Sequence, residues 1–147
     1  MKKVPSETVI RAWARLVRGQ QVAMTTIETA LKAAKLPPLS WYDALLELER
    51  AGDKGLRPFE LEREMLLPQY SLSRLVDRIG REGYLARSPC ADDGRGQLIV
   101  ITKAGRELRR RMWPIYAAAI QQAIAAHISD DEAVVLEKLL GKLLRLS

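Results

Sequence analysis

Residues 69–102 read QYSLSRLVDRIGREGYLARSPCADDGRGQLIVIT. Two periods meet inside this stretch. Leu72, Leu75, Val76 and Ile79 recur at the 3, 4, 7 spacing of one buried helix face. After Gly83 the spacing changes. Tyr84 to Ser88 and Gln97 to Ile101 predict two short strands, the second rich in β-branched residues. Between them, residues 89–96 hold proline, glycine and two aspartates, the composition of a turn. The stretch therefore predicts a helix over roughly Gln69 to Arg81, followed at once by a β-hairpin with a long tip.

Working outward, residues 6–35 predict a long helix, with Val9, Ile10, Trp13, Ala14, Leu16 and Val17 at helical spacing, stopped by Pro37-Pro38. Ser40 with Asp43 three residues on resembles a capping box and predicts the start of a second helix ending at Gly52. Arg57-Pro58 opens a short third helix, with Phe59, Leu61, Met65 and Leu66 as its apolar side. Pro68 breaks it and begins the fourth. Thr102 caps a long helix running to about Ala126. Ser129-Asp130-Asp131-Glu132 is a capping box for a last helix to about Leu146.

A three-helix unit followed by a hairpin is the winged helix-turn-helix arrangement. The expected fold is mainly α, one domain over residues 1–147. The winged-helix lobe takes 40–101, and long helices over 6–35 and 102–146 serve dimerisation.

Composition narrows the function. The chain has 147 residues, 48% of them apolar, enough for an ordinary core. One cysteine, Cys90, and one histidine, His127, leave too few groups for a Cys-based metal site or a His-based catalytic set. Phosphate-loop, dinucleotide and zinc-protease motifs are absent from the sequence, so neither an enzyme nor a cofactor is expected. No apolar run approaches the ~18 residues that span a bilayer. The charged start Met1-Lys2-Lys3 leads into no apolar segment, which predicts a cytoplasmic protein. Of the net charge of +6, residues 69–111 carry +5. A basic middle points to a polyanion partner, with a solvated basic face as the plainer alternative.

On the predicted fourth helix the residues off the apolar face are Gln69, Tyr70, Ser71, Ser73, Arg74, Asp77, Arg78 and Arg81. Gln, Ser and Arg can read base edges of duplex DNA in the major groove, and Arg can bind guanine with two hydrogen bonds. Residues nearest the helix start suit base reading. Arg78 and Arg81 suit phosphates or acidic partners.

Several segments in this order resemble the MarR family: residues 72–79, then 83–87, then Asp93-Gly94-Arg95-Gly96, then 98–102, then Gly105. The resemblance extends over nearly the whole chain. It implies that Arg95 is a wing arginine entering the minor groove, where narrow-groove potential favours a guanidinium. It implies that Asp93 orients Arg95, and that Arg87 contacts phosphate or braces the wing. Cys90 and Asp92 stand where some members carry a further Asp-x-Arg, so that second basic contact is missing. Cys90, beside two aspartates, is read as a passive loop cysteine. His127 is read as a cap or surface residue.

The resemblance further implies a homodimer on a near-palindromic operator, a repressor, and release by a small aromatic ligand. Trp13, Trp41 and Tyr42 are candidates for that ligand's pocket, although aromatic residues at helical spacing more often form core. The alternative use of such a module is protein or RNA contact without a specific operator.

Overall fold

The structure is a computed structural model describing residues 3–89 and 97–146, the side chain of Pro89 excepted. Its elements are α1 (Glu7–Ala33), α2 (Leu39–Ala51), a 3-10 turn (Gly52–Lys54), α3 (Pro58–Glu64), α4 (Leu72–Arg81), β1 (Leu85–Pro89), β2 (Gln97–Ile101), α5 (Lys103–Ile120), a π turn (Gln121–Ala125) and α6 (Asp130–Leu143). This is the mainly α architecture with a two-stranded wing that the sequence predicts. The chain divides into two compact units. One is Leu31–Ile115. The other comprises Met1–Ala30 and Tyr116–Ser147.

The unit Leu31–Ile115 carries the winged helix. Its core joins Leu45 and Leu48 of α2, Leu61 of α3, Ile79 of α4, Ile99 of β2 and Leu108 and Met112 of α5, all essentially inaccessible to solvent. The strands pair antiparallel, Leu85 opposite Ile101 and Arg87 opposite Ile99. Leu85, Ile99 and Ile101 turn inward, as the two-residue period of a strand requires. Leu56 adds a single bridge to β2: it donates to the Ile99 carbonyl at 3.0 Å and accepts from the Ile99 amide at 2.8 Å.

The ends of the helices refine the sequence reading. Helix α1 stops at Ala33, two residues early, because Lys35 adopts a left-handed φ of 59° and the Leu36 amide returns to the Leu31 carbonyl. Helix α2 begins at Leu39 with no side-chain cap, and Asp43 does not serve as one. Its carboxylate is buried and accepts the amides of Leu66 and Leu67. Of the four apolar residues expected on α3, Leu61 and the C-cap residue Met65 are buried, while Phe59 and Leu66 are exposed. Phe59 stands roughly 200° around the helix from Leu61, and Leu66 lies beyond the helix end. The Arg57 amide donates to Glu60 Oε1 at 2.9 Å, so the glutamate caps a helix that lacks Ser or Thr at its start.

Helix α4 begins at Leu72, three residues later than predicted. Ser71 is its N-cap and accepts the Arg74 amide at 3.3 Å. It ends at Arg81, and Gly83, two residues on, has a φ of 83° that suits glycine. There the Gly83 amide reaches the Gly80 carbonyl and the Tyr84 amide the Ile79 carbonyl, a Schellman closure. The Thr102 hydroxyl accepts the Gly105 amide at 3.1 Å and donates to the Gly83 carbonyl at 2.7 Å. One side chain therefore caps α5 and ties it to the end of α4. Arg109 of α5 pairs with Glu49 of α2 and lies over the ring of Tyr42, 5.9 Å from its centroid.

In the second unit, Ser129 and Glu132 form the predicted reciprocal capping box of α6, at 3.0 and 3.1 Å. The backbone and hydroxyl bonds from Ser129 hold the Glu132 carboxyl below its ordinary value. Large apolar residues nevertheless stay exposed in the single chain: Val9, Ile10, Trp13 and Leu16 on α1, and Val134, Val135, Leu136, Leu139 and Leu143 on α6. No described helix is long and apolar enough to cross a membrane.

Candidate nucleic-acid interface

The geometry of α4 follows from its sequence. Leu72, Leu75, Val76 and Ile79 fill the buried side. At 3.6 residues per turn, Ser73, Arg74, Asp77, Arg78 and Arg81 then share an outward arc of roughly 140°. Ser73, Arg74, Arg78 and Arg81 are exposed there. No ion pair joins Arg74, Arg78 or Arg81 to another described residue. Three guanidinium groups without an ion pair among the described residues, on one helix face, form a surface suited to phosphate oxygens and guanine edges.

The residues ahead of the helix behave differently from a helical reading of them. Gln69 donates from Nε2 to the Leu67 carbonyl at 3.2 Å, a local turn contact. Tyr70 is fully exposed. Ser71 is occupied as the N-cap, with its hydroxyl 3.4 Å from that of Ser73. Of the residues expected nearest the helix start, Ser73 and Arg74 are the two that stand on its first turn.

Asp77 and Arg87 form an ion pair across the α4–β1 junction. Sequence reasoning placed Asp77 among the outward groove-facing residues and left Arg87 open between phosphate and brace. The two are ten residues apart in different elements, so no local pattern announces the pair. The pair links the first wing strand to α4. Beside it lies a recess of about 500 Å³ lined by Val76, Asp77, Gly80, Arg81, Leu85 and Arg87. The readings of Cys90, Asp93 and Arg95 fall outside the described residues.

The three aromatic candidates divide between the units. Trp13 is in the unit of α1 and α6 and is largely exposed. Trp41 and Tyr42 are in the winged-helix unit. There Trp41 meets Tyr84 edge-on and Tyr42 stacks on Trp113, each pair with centroids 6.2 Å apart. Both rings of α2 thus have aromatic partners that a sequence pattern cannot show.

Comparison with known proteins follows the same outline. The MarR family's sequence model matches residues 35–96, from the end of α1 to the hairpin. Over this segment the chain is similar to the MarR family. It is 28% identical over 89 residues to the multiple antibiotic resistance protein MarR of Escherichia coli strain K12, covering 60% of this chain and 62% of that one. It is 29% identical over 102 residues to the HTH-type transcriptional repressor YetL of Bacillus subtilis strain 168, covering 69% and 60%. The matches span about three-fifths of the length of these curated relatives. Among solved structures, the MarR-family regulator Sco3205 of Streptomyces coelicolor, crystallised with DNA, superposes with a TM-score of 0.83. That match covers 99% of this chain and 88% of the other at 23% identity. At that identity the likeness establishes the family's winged-helix fold.

Proposed function

We propose that this chain is a MarR-family transcription regulator that binds duplex DNA, acting as a homodimeric repressor on a near-palindromic operator. The observation that carries this reading is the outward face of α4, where Ser73, Arg74 and Arg78 stand exposed on a helix whose other side is the lobe's core. Ser73 and Arg74 on the first turn are the base-reading pair. Arg78 and Arg81 take phosphates. Arg87 acts through Asp77 as the brace of the wing, and Arg95, oriented by Asp93, reaches the minor groove. The fold of a relative crystallised with DNA and the name of the repressor YetL support the same reading.

The homodimer rests on the exposed apolar rows of α1 and α6. A second copy is the partner that covers both rows symmetrically. Two copies place two recognition helices in successive major grooves, so operator symmetry follows protein symmetry. Release by a small aromatic effector belongs to the same proposal. It requires an effector that binds the DNA-free spacing of the helices more tightly than the bound one.

The test is binding of the purified protein to duplex from upstream of its own coding sequence and to a scrambled duplex, across a salt series. The specific duplex should win by about a thousandfold. Arg74→Ala should lower that preference by roughly 1–3 kcal/mol, whereas Arg78→Ala should weaken both duplexes alike and reduce the salt slope by about one. Equal binding of both duplexes that fades steeply with salt would replace this reading with protein or RNA contact.

A further inference from the structure

Asp43 is the one charged side chain buried among the described residues, at 5% exposure. Its two oxygens take two consecutive backbone amides. Leu66 donates to Oδ1 at 2.9 Å and Leu67 to Oδ2 at 2.7 Å. These amides belong to the connection between α3, which ends at Glu64, and α4. The next residue, Pro68, has no N–H to offer. The polar groups of this turn are therefore anchored on α2 by one carboxylate, 23 and 24 residues away in the chain.

The turn is what aims α4. Its backbone has no helix or strand ladder to fix it, and a buried carboxylate must be met by donors. A carboxylate has an acceptor for each amide at once, whereas Asn or Ser has too few or points a donor at one of them. We infer that Asp43 is the positioning residue of the recognition helix. It touches no DNA, and it holds the turn so that Ser73 and Arg74 meet the groove at one angle. This inference rests on the proposed DNA reading and adds to it the residue that sets the geometry.

The experiment compares the full chain with Asp43→Asn, which keeps size and loses one acceptor. Three quantities are read: the ratio of affinities for specific and scrambled duplex, thermal stability, and hydrogen exchange of the Leu66 and Leu67 amides. The expected result is a specific-to-scrambled ratio about tenfold lower, with scrambled binding within about twofold of the parent. Exchange at Leu66 or Leu67 should be at least tenfold faster, while α2 amides elsewhere are unchanged.

Asp43→Glu, which retains both acceptors, should recover part of the ratio. If stability falls and the ratio stays at the parent value, Asp43 only stabilises and the inference is overturned. If the parent itself shows no preference between duplexes, the DNA reading has failed. The positioning role is then read from residual dipolar couplings of α4 relative to α2: a changed orientation in the variant upholds it, and an unchanged one overturns it. Should Asp43→Asn not fold, Asp43→Ser, which keeps one acceptor, carries the same comparison.

Discussion

Gly105, on the first turn of α5, has no room for a side chain. A Cβ there would lie 2.1 Å from the Tyr84 carbonyl oxygen and 2.9 Å from Ile101 Cγ1. The first distance is about 1.3 Å inside the 3.4 Å where ordinary contact begins. Two effects compete in Gly105→Ala. Replacing a helical glycine gains about 0.5–1 kcal/mol by restricting the unfolded chain. Overpacking against backbone costs about 1–3 kcal/mol. The carbonyl cannot swing aside freely, because it accepts the Thr102 amide at 3.2 Å, next to the Thr102 hydroxyl bond to Gly83. Losing that bond would add about 1 kcal/mol. The clash wins, and the variant should be less stable by roughly 2 kcal/mol.

Gly19 supplies the internal control. It lies in α1 with nothing within 4 Å of a built Cβ, so Gly19→Ala should gain about 0.5–1 kcal/mol. The assay is urea unfolding of the three proteins at one fixed concentration, since association shifts apparent stability. Gly105→Ala as stable as the parent would refute the argument. So would a loss in Gly19→Ala equal to that in Gly105→Ala, which would show that the contact is not the cause.

Three further outcomes follow from the structure. Asp77 and Arg87 side chains are 46% and 38% exposed, so a double-alanine cycle in unfolding experiments should give a coupling of only about 0.2–1 kcal/mol that fades in high salt; a coupling unaffected by salt would contradict the solvent-screened pair. Glu47, 12% exposed, has its carboxyl pushed above the ordinary 4.5 by burial and by the nearby Asp43 and Glu64 charges, in spite of Arg50 at 2.8 Å. A raised folded value means that its stability contribution is present below the ordinary carboxyl range and is lost as pH rises through the folded value. Glu47→Gln should thus be at least as stable as the parent at pH 7, with the advantage closing as pH falls below that range, whereas a pH-independent loss would show that the Arg50 bond dominates. Finally, if the proposed dimer covers the exposed row of α6, Leu139→Asp should raise its dissociation constant by about 30-fold or more in sedimentation equilibrium, the scale of an interface hot spot, and an unchanged mass would count against that interface.

The parts of this fold that read directly from sequence are those whose cause is local. The spacing of Leu72, Leu75, Val76 and Ile79 is itself the reason that α4 buries that face, and Ser129 and Glu132 form their capping box within four residues. The start of α4 is harder, because two local signals compete. Pro68 is a good first helical residue and Ser71 is a good N-cap, and the hydroxyl that takes the Arg74 amide decides between them. That decision removes Gln69 and Tyr70 from the helix and leaves Ser73 and Arg74 as the exposed pair of its first turn.

Asp43 shows why a correct local rule can give the wrong role. Ser40 and Asp43 have the spacing of a capping box, and a carboxylate near a helix start normally serves the amides of that helix. Here α2 opens after Pro38 without a side-chain cap. With Pro38 at the N-cap, Asp43 is the fifth residue of the helix, past its first turn, and the Trp41 amide donates to the Pro38 carbonyl at 3.0 Å. The Leu66 and Leu67 amides sit where α3, α4 and α2 converge, and have no ladder partner of their own. A buried carboxylate left without donors costs more than the roughly 1 kcal/mol of an omitted cap. The carboxylate therefore goes to the turn, and the choice is made by burial, which sequence spacing does not encode. The same reasoning covers Asp77 and Arg87: each reads as a solvent-facing charge on its own element, and they pair because the antiparallel return of the wing brings β1 alongside α4. Side chains in this lobe whose partners are set by tertiary convergence, Asp43 on the turn and Asp77 on Arg87, link α4 to α2 and to the wing, and they are the least legible from the chain.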